Sequence, residues 1–248
     1  MVSRKILLTG AFCALSALSV GLWGCGTSNS LGPGANTVSK VRVFNGLIGG
    51  PGNGAVDIVQ RNVAINQASV SFGGLSPYIT VAAGNGVNTN VYQGGTTANP
   101  LAPQNSVNLS PNTSYTLGIV GISGQTSGAT RTQLVEYTDS PPSLTGNANA
   151  EVRLINAVPN SPTGGASLFN AASNTVISGF SNIAYPSDSG YQAVPPGSYN
   201  LIARDNAGNT LATVNGVNLT AGHAFTLMLI GQTNGGSPAA SIVGGLDQ

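Results

Sequence analysis

Acid–base or nucleophilic chemistry in this chain would fall to one histidine, seven carboxylates and scattered hydroxyls. His223 could act as a general base or a metal ligand. It sits in Thr220-Ala-Gly-His-Ala-Phe225, where a strand is expected to begin. Paired carboxylates could hydrolyse a glycosidic bond. The available ones are Asp57, Glu136, Asp139, Glu151, Asp188, Asp205 and Asp247. Asp139 and Glu151 flank a proline-containing stretch, Asp188 and Asp205 lie among turn residues, and Asp247 is at the terminus. They read as isolated surface or turn groups. A serine nucleophile would need an activating base, and neither a Gly-x-Ser-x-Gly elbow nor a Ser-x-x-Lys pair is present. Asp205, Asn206 and Asn209 place hard oxygens through a turn, but one carboxylate is a poor calcium site. The expectation is no catalytic, cofactor-binding or metal-binding residue, and no enzyme.

The cysteines point elsewhere. A short basic segment, Met1 to Lys5, precedes an apolar run from Ile6 to Trp23, which ends at Leu22-Trp-Gly-Cys25. This resembles a lipobox, with an apolar residue three before the Cys, a small residue just before it, and a thiol to receive diacylglycerol. Trp23 departs from the pattern, which usually has a small residue there. Residues 1–25 are therefore expected to be a lipoprotein signal peptide, with Cys25 as the lipidation site. Cys13 lies inside it, so the mature chain would contain no disulfide and no thiolate metal site. Residues 26–39, rich in Gly, Ser, Asn and Pro, read as a flexible tether.

Self-comparison locates the elements that must position any site. Val41-Arg-Val-Phe-Asn45 recurs as Val152-Arg-Leu-Ile-Asn156, and Tyr78-Ile-Thr-Val81 as Tyr191-Gln-Ala-Val194. Val107-Asn-Leu109 recurs as Val217-Asn-Leu219, and Tyr115 to Gly121 as Phe225 to Gly231. The offsets are 111, 113, 110 and 110 residues, in the same order. This predicts two copies, over 40–138 and 150–248, joined by a linker at 139–149 that contains Pro141 and Pro142. Each copy is expected to fold alone. His223 corresponds to Thr113, so the repeat does not require an imidazole. Tyr78, Tyr92, Tyr137, Tyr185 and Tyr191 could form a sugar-stacking platform, but the equivalence of Tyr78 and Tyr191 favours a shared structural role.

Each copy reads as short strands separated by turns. Tyr199 to Arg204 alternates as a strand with unlike faces, Asp205 to Asn209 supplies a turn, and Thr210 to Val214 returns. Phe225 to Ile230 is apolar on both faces, as in a central buried strand. Asn-Gly pairs at Asn45, Asn53, Asn85, Asn215 and Asn234 are expected to mark turns. The predicted fold is all-β, two tandem immunoglobulin-like or Greek-key sandwiches. The order Val-Arg-Val-x-Asn, Tyr-x-x-Val-x-x-Gly, Val-x-Leu and an aromatic-Thr strand ending in Gly resembles the DUF4397 domain, once from about Lys40 and once from about Ala150. Ala55-Val-Asp57-Ile-Val59 is similar to the family's Val-Asp-Val strand. Ala166-Ser-Leu-Phe169 lacks the Asp, and the Gly49–Gly54 loop also departs from the pattern. The resemblance implies a β fold and an exported bacterial protein, and brings no catalytic residues.

Only 6% of residues are charged. Without Arg4 and Lys5, six basic residues face seven acidic ones, a net of −1. Lys40, Arg42, Arg61, Arg131, Arg153 and Arg204 form no stripe along the sequence, which excludes nucleic acid and an anionic lipid patch as partners. The expected role is an exported, lipid-anchored module of the cell envelope, at the outer membrane or cell surface. It would be structural or binding, with an envelope protein or polysaccharide as partner. A carbohydrate-binding protein is the first alternative and a hydrolase the second.

Overall fold

The computed structural model describes residues 37–50, 54–162 and 164–247, so the lipobox, Cys25 and Asn53 lie outside the described residues. The first copy contains β1 (Val38–Ile48), β2 (Val56–Gln60), β3 (Val63–Ala64), β4 (Ile79–Ala82), β5 (Gly84–Gln93), β6 (Asn105–Leu109), β7 (Ser114–Ile122) and β8 (Gln133–Asp139). The second contains β9 (Ala150–Asn156), β10 (Ala166–Asn170), β11 (Thr175–Val176), β12 (Gln192–Val194), β13 (Gly197–Asp205), β14 (Thr210–Leu219), β15 (Ala224–Ile230) and β16 (Ser241–Leu246). The all-β expectation holds. Among the described residues no helix is long and apolar enough to cross a membrane.

Four four-stranded sheets result, two per copy. Their orders are β4-β1-β7-β8 and β3-β2-β5-β6 in the first, β12-β9-β15-β16 and β11-β10-β13-β14 in the second. The central pairs β1·β7 and β9·β15 are parallel, in register Val41↔Tyr115 and Val152↔Phe225. Strand alternation then sorts the side chains. Val41, Val43, Tyr115, Leu117 and Ile119 point into the first sandwich, whose opposite wall carries Val56, Ile58, Val87 and Val91. Val152, Leu154, Leu227 and Leu229 do the same in the second, against Leu168, Leu201 and Ala203.

The other faces of the two central sheets are also apolar, and they cover each other. Phe44, Val120 and Tyr137 pack with Ile155, Ala157, Met228 and Ile230 in a third buried cluster shared by both copies. Apolar residues on both faces of Phe225 to Ile230 reflect this second covering, not a single thick core. Gly46 marks how closely the copies approach. A Cβ there would lie 3.1 Å from the Phe44 ring and 3.2 Å from the Ala157 methyl.

Turn chemistry was only partly legible. Asp205-Asn-Ala-Gly-Asn209 forms the β13–β14 hairpin as expected, and Asn234-Gly235 turns with positive φ at both residues. The other described Asn-Gly pairs are not turns. Asn45-Gly46 lies within β1, where the Asn45 amide donates to Gly54 O (2.7 Å) and Val70 O (2.8 Å) and accepts from Leu47 N (3.0 Å). Asn156 repeats the arrangement, donating to Ile183 O and accepting from Val158 N. The motif asparagine is thus a buried clip between sheets. Asn85-Gly86 and Asn215-Gly216 fall where register shifts interrupt the β5·β6 and β13·β14 pairings. Glycine there accommodates the bulge without ending the strand.

Candidate functional site

The largest concentration of ionisable groups lies between the copies, on the faces just described. In the repeated motif, Val faces the sandwich core, so the following Arg must face the other way. Arg42 and Arg153 are therefore driven into the inter-copy face, 2% and 0% exposed. Thr116 and Thr226, on β7 and β15, share that face. Asp139 is the last residue of β8, although the sequence reading opened the linker there, and Asp247 follows β16 directly. Tyr78 and Tyr191 precede β4 and β12.

These residues are bonded as a reciprocal clasp. Arg42 Nη1 donates to Asp247 Oδ1 at 2.7 Å, and Arg153 Nη2 donates to Asp139 Oδ1 at 2.6 Å, so each copy's guanidinium reaches the other's carboxylate. Within the copies, Arg42 Nε donates to Thr116 (2.8 Å) and Arg153 Nε to Thr226 (3.3 Å). Thr116 donates to Asp139 and Thr226 to Asp247. Tyr78 donates to Asp139 Oδ2 at 2.6 Å, and Tyr191 to Asp247 Oδ2 at 2.7 Å. Each guanidinium also lies over its own copy's tyrosine ring, at 4.7 Å and 4.9 Å from the centroid. Asp188 adds a looser contact to Arg153 at 3.4 Å from the rim. Two buried cations thus meet two buried anions, which removes most of the penalty for burying either sign alone.

Burial, followed by the nearby Asp139 charge, pushes the Tyr78 phenol upward; burial does the same to Tyr191, where the Arg153 cation opposes it and Asp247 adds to it. Burial, then Asp188, raises Tyr137 as well. Burial works against the Arg153 cation, but Asp139, Tyr191 and Asp188 outweigh it, and the net shift is upward. The phenols therefore remain donors and the guanidinium remains charged at neutral pH. In the unfolded chain tyrosine ionises near pH 10. Above that pH the unfolded state loses protons before the folded one, so stability that is full below about pH 10 should fall as pH rises. Thermal midpoints measured from about pH 8 to about pH 11 should decline beyond about pH 10, with a shallower decline in Tyr78→Phe/Tyr191→Phe. A flat profile would contradict burial of these phenols.

The remaining candidates have local roles. His223 Nδ1 contacts Ala221 O at 3.0 Å, and its carbonyl accepts from Glu151 N. Thr113 likewise bonds Pro111 O, and its carbonyl accepts from Lys40 N. The imidazole stands in for a threonine at a strand entry. Asp57 is held by Asn66 and Gly95 N, Glu136 accepts from Asn108 N, and Glu151 accepts from Asn147. Asp205 closes its hairpin on Asn209, whose side-chain hydrogen bond lowers the carboxyl below its usual range. Tyr137 donates to Pro186 O and Tyr185 accepts from Gln133. Tyr92 is half-buried on β5, away from the clasp. Among the described residues no group of three His, Cys, Asp or Glu could hold a metal ion.

Sequence reasoning treated Arg42 and Arg153 as scattered and Asp139 and Asp247 as isolated. One signal was available. In a chain with eight basic residues, two occupy the same place in a repeated strand with apolar residues on both sides. A charge retained there needs a buried partner, and the partner lies on the other copy.

Two sandwiches joined by a pseudo-symmetric buried clasp define a tandem all-β domain pair. One family model, described as a domain of unknown function (DUF4397), matches residues 39–163 and again 150–243. The chain belongs to this family and carries two copies of its domain. No curated protein matches the chain. Among solved structures it is similar to the Bacillus anthracis TIE protein, at 9% identity and a TM-score of 0.24, covering 79% of this chain and 34% of that one. It is also similar to a family CBM26 module from Eubacterium rectale Amy13K in complex with maltoheptaose, at 12% identity, TM-score 0.26, covering 85% and 97%. A leucine-rich repeat protein from Bacteroides thetaiotaomicron gives 10% identity, TM-score 0.20, covering 77% and 26%. The chain thus spans about a third of the first of these proteins and about a quarter of the last. None of these likenesses bears on what this chain binds.

Proposed function

We propose that this chain is an exported, non-catalytic module of the cell envelope, held to a membrane by diacylglycerol on Cys25 and presenting its paired domains as one stiff unit for spacing or binding. The observation that carries the non-catalytic part is the clasp. The groups best suited to acid–base work, Asp139, Asp247, Tyr78 and Tyr191, have their polar atoms committed to holding the copies together. A buried, mutually neutralised network supports a fixed geometry between elements. The anchor rests on the lipobox-like Leu22-Trp-Gly-Cys25 behind a basic and then apolar leader.

Cys25→Ser should abolish fatty-acid labelling and move the protein out of the membrane fraction, since diacylglycerol needs that thiol. Labelling that persists in the variant would refute the anchor. Envelope carbohydrate binding is a second reading, favoured by an open cleft on the first copy whose lining includes Arg61, Asn62, Asn85, Asn88, Asn90 and Gln104.

A further inference from the structure

The copies agree on the faces that build their cores and the clasp, and they diverge on the sheets that face away from it. In β3-β2-β5-β6 the outward row of β5 is Asn88, Asn90 and Tyr92, by alternation with buried Val87, Thr89 and Val91. The pairings Ile58↔Val91 and Leu168↔Ala203 place the corresponding row of β13 at Asn200, Ile202 and Arg204. There Arg204 lies over the Phe169 ring, 4.7 Å from its centroid. Where the β5 row carries two amides, the β13 row carries one amide, an isoleucine and an arginine stacked on a ring.

The amide-rich row ends in a cleft. The hairpin between β2 and β3 turns at Arg61 and Asn62, both in the left-handed region (φ 48° and 66°). Asparagine takes that conformation readily, whereas arginine seldom does. The Arg61 guanidinium is laid over the backbone of Gly84, where a Cβ would come within 2.8 Å of Nη2. Gly84 opens the bulged segment of β5 that runs to Val87. The turn and the bulge border an open cleft of about 360 Å³, whose polar lining is Arg61, Asn62, Asn85, Asn88, Asn90 and Gln104. Arg61 takes part in none of the four ion pairs found among the described residues.

We propose that this cleft binds a carboxylate-bearing polysaccharide of the uronic-acid type. Each amide supplies a donor and an acceptor, which matches hydroxyl groups that are both at once. The one guanidinium offers two parallel N–H groups to a carboxylate and lacks a carboxylate of its own. A single cation is too little for a nucleic-acid backbone. Tyr92, one place further along the outward row and about 7 Å from Asn90, gives a half-buried ring against which a sugar face can pack. Selection of acidic over neutral sugar falls to Arg61 and affinity to the amides. With one ion pair, binding should weaken only modestly as salt rises.

The inference depends on the envelope location above only for where the ligand would be met. Affinity electrophoresis and calorimetry on detergent-solubilised full-length protein, with polygalacturonate and amylose as probes, test it separately from anchoring. Polygalacturonate should retard the protein and amylose should not. Arg61→Asn, which suits the left-handed turn, should weaken polygalacturonate binding at least tenfold, and Asn88→Ala/Asn90→Ala several-fold, with thermal midpoints unchanged. No binding of polygalacturonate, equal retardation by amylose, or undiminished binding by an Arg61→Asn/Asn88→Ala variant would each overturn the assignment. The Cys25→Ser fractionation leaves this cleft untouched, so either proposal can fail without the other.

Discussion

Arg153→Ala should lower the stability of the folded chain by about 3–5 kcal/mol, the usual cost of removing one partner of a buried ion pair. The guanidinium is wholly buried and donates to Asp139, Thr226, Thr138 O and Asp188. Its removal strips Asp139 of its shorter cationic contact. What remains is Arg42 Nε at 3.5 Å, with Thr116 and Tyr78. Lysine should recover little, because a single ammonium cannot serve a carboxylate, a threonine and a carbonyl in the directions the planar group covers. Urea unfolding of the two variants beside the parent measures this. A loss below about 1 kcal/mol for Arg153→Ala would place the pair with solvent-screened surface bridges and remove the clasp from the account of how the copies are held.

The layout of the two copies was open to sequence reasoning because it rests on local pattern. Val41 and Val43 alternate, Asp205 to Asn209 turns, and each motif recurs in register, so strand identity and the two sandwiches follow from period and turn chemistry. The clasp did not follow, because its contacts join residues 205 and 184 positions apart, as in Arg42 with Asp247 and Thr226. No local pattern encodes which face of a sheet meets which. Asn45 misled for a related reason. Asn-Gly is a turn signal only where the amide is free to serve its own backbone, and here three hydrogen bonds within the fold already occupy it. The polar cleft had no motif to announce it, since Asn88 and Asn90 are two of many amides in the chain and only the fold brings the Arg61 turn beside them.

Cutting the chain in the linker should yield two halves that find each other again. Residues 26–143 and 144–248, made separately, keep their own sandwich cores, and each keeps a short-range set of partners for its arginine. Each also exposes a continuous apolar face. Phe44, Val120 and Tyr137 lose their cover on one side, and Ile155, Ala157, Met228 and Ile230 on the other. Burying a side chain of that size contributes about 1.5–3 kcal/mol, so the face as a whole favours association strongly, even after the cost of fixing two bodies together. The crossed contacts Arg42–Asp247 and Arg153–Asp139 have near-twofold symmetry. That is the arrangement of an isologous dimer, here with its two subunits made as one chain. The halves should therefore form a one-to-one complex in sedimentation experiments at micromolar concentration, and either half alone should self-associate or unfold at lower urea than the whole chain. Introducing Arg153→Ala into the second half should weaken the complex at least tenfold while its far-ultraviolet spectrum stays β-rich. Two halves that stay monomeric when mixed, each as resistant to urea as the intact protein, would mean that the copies are independent beads and that the buried charges between them contribute nothing to the joint.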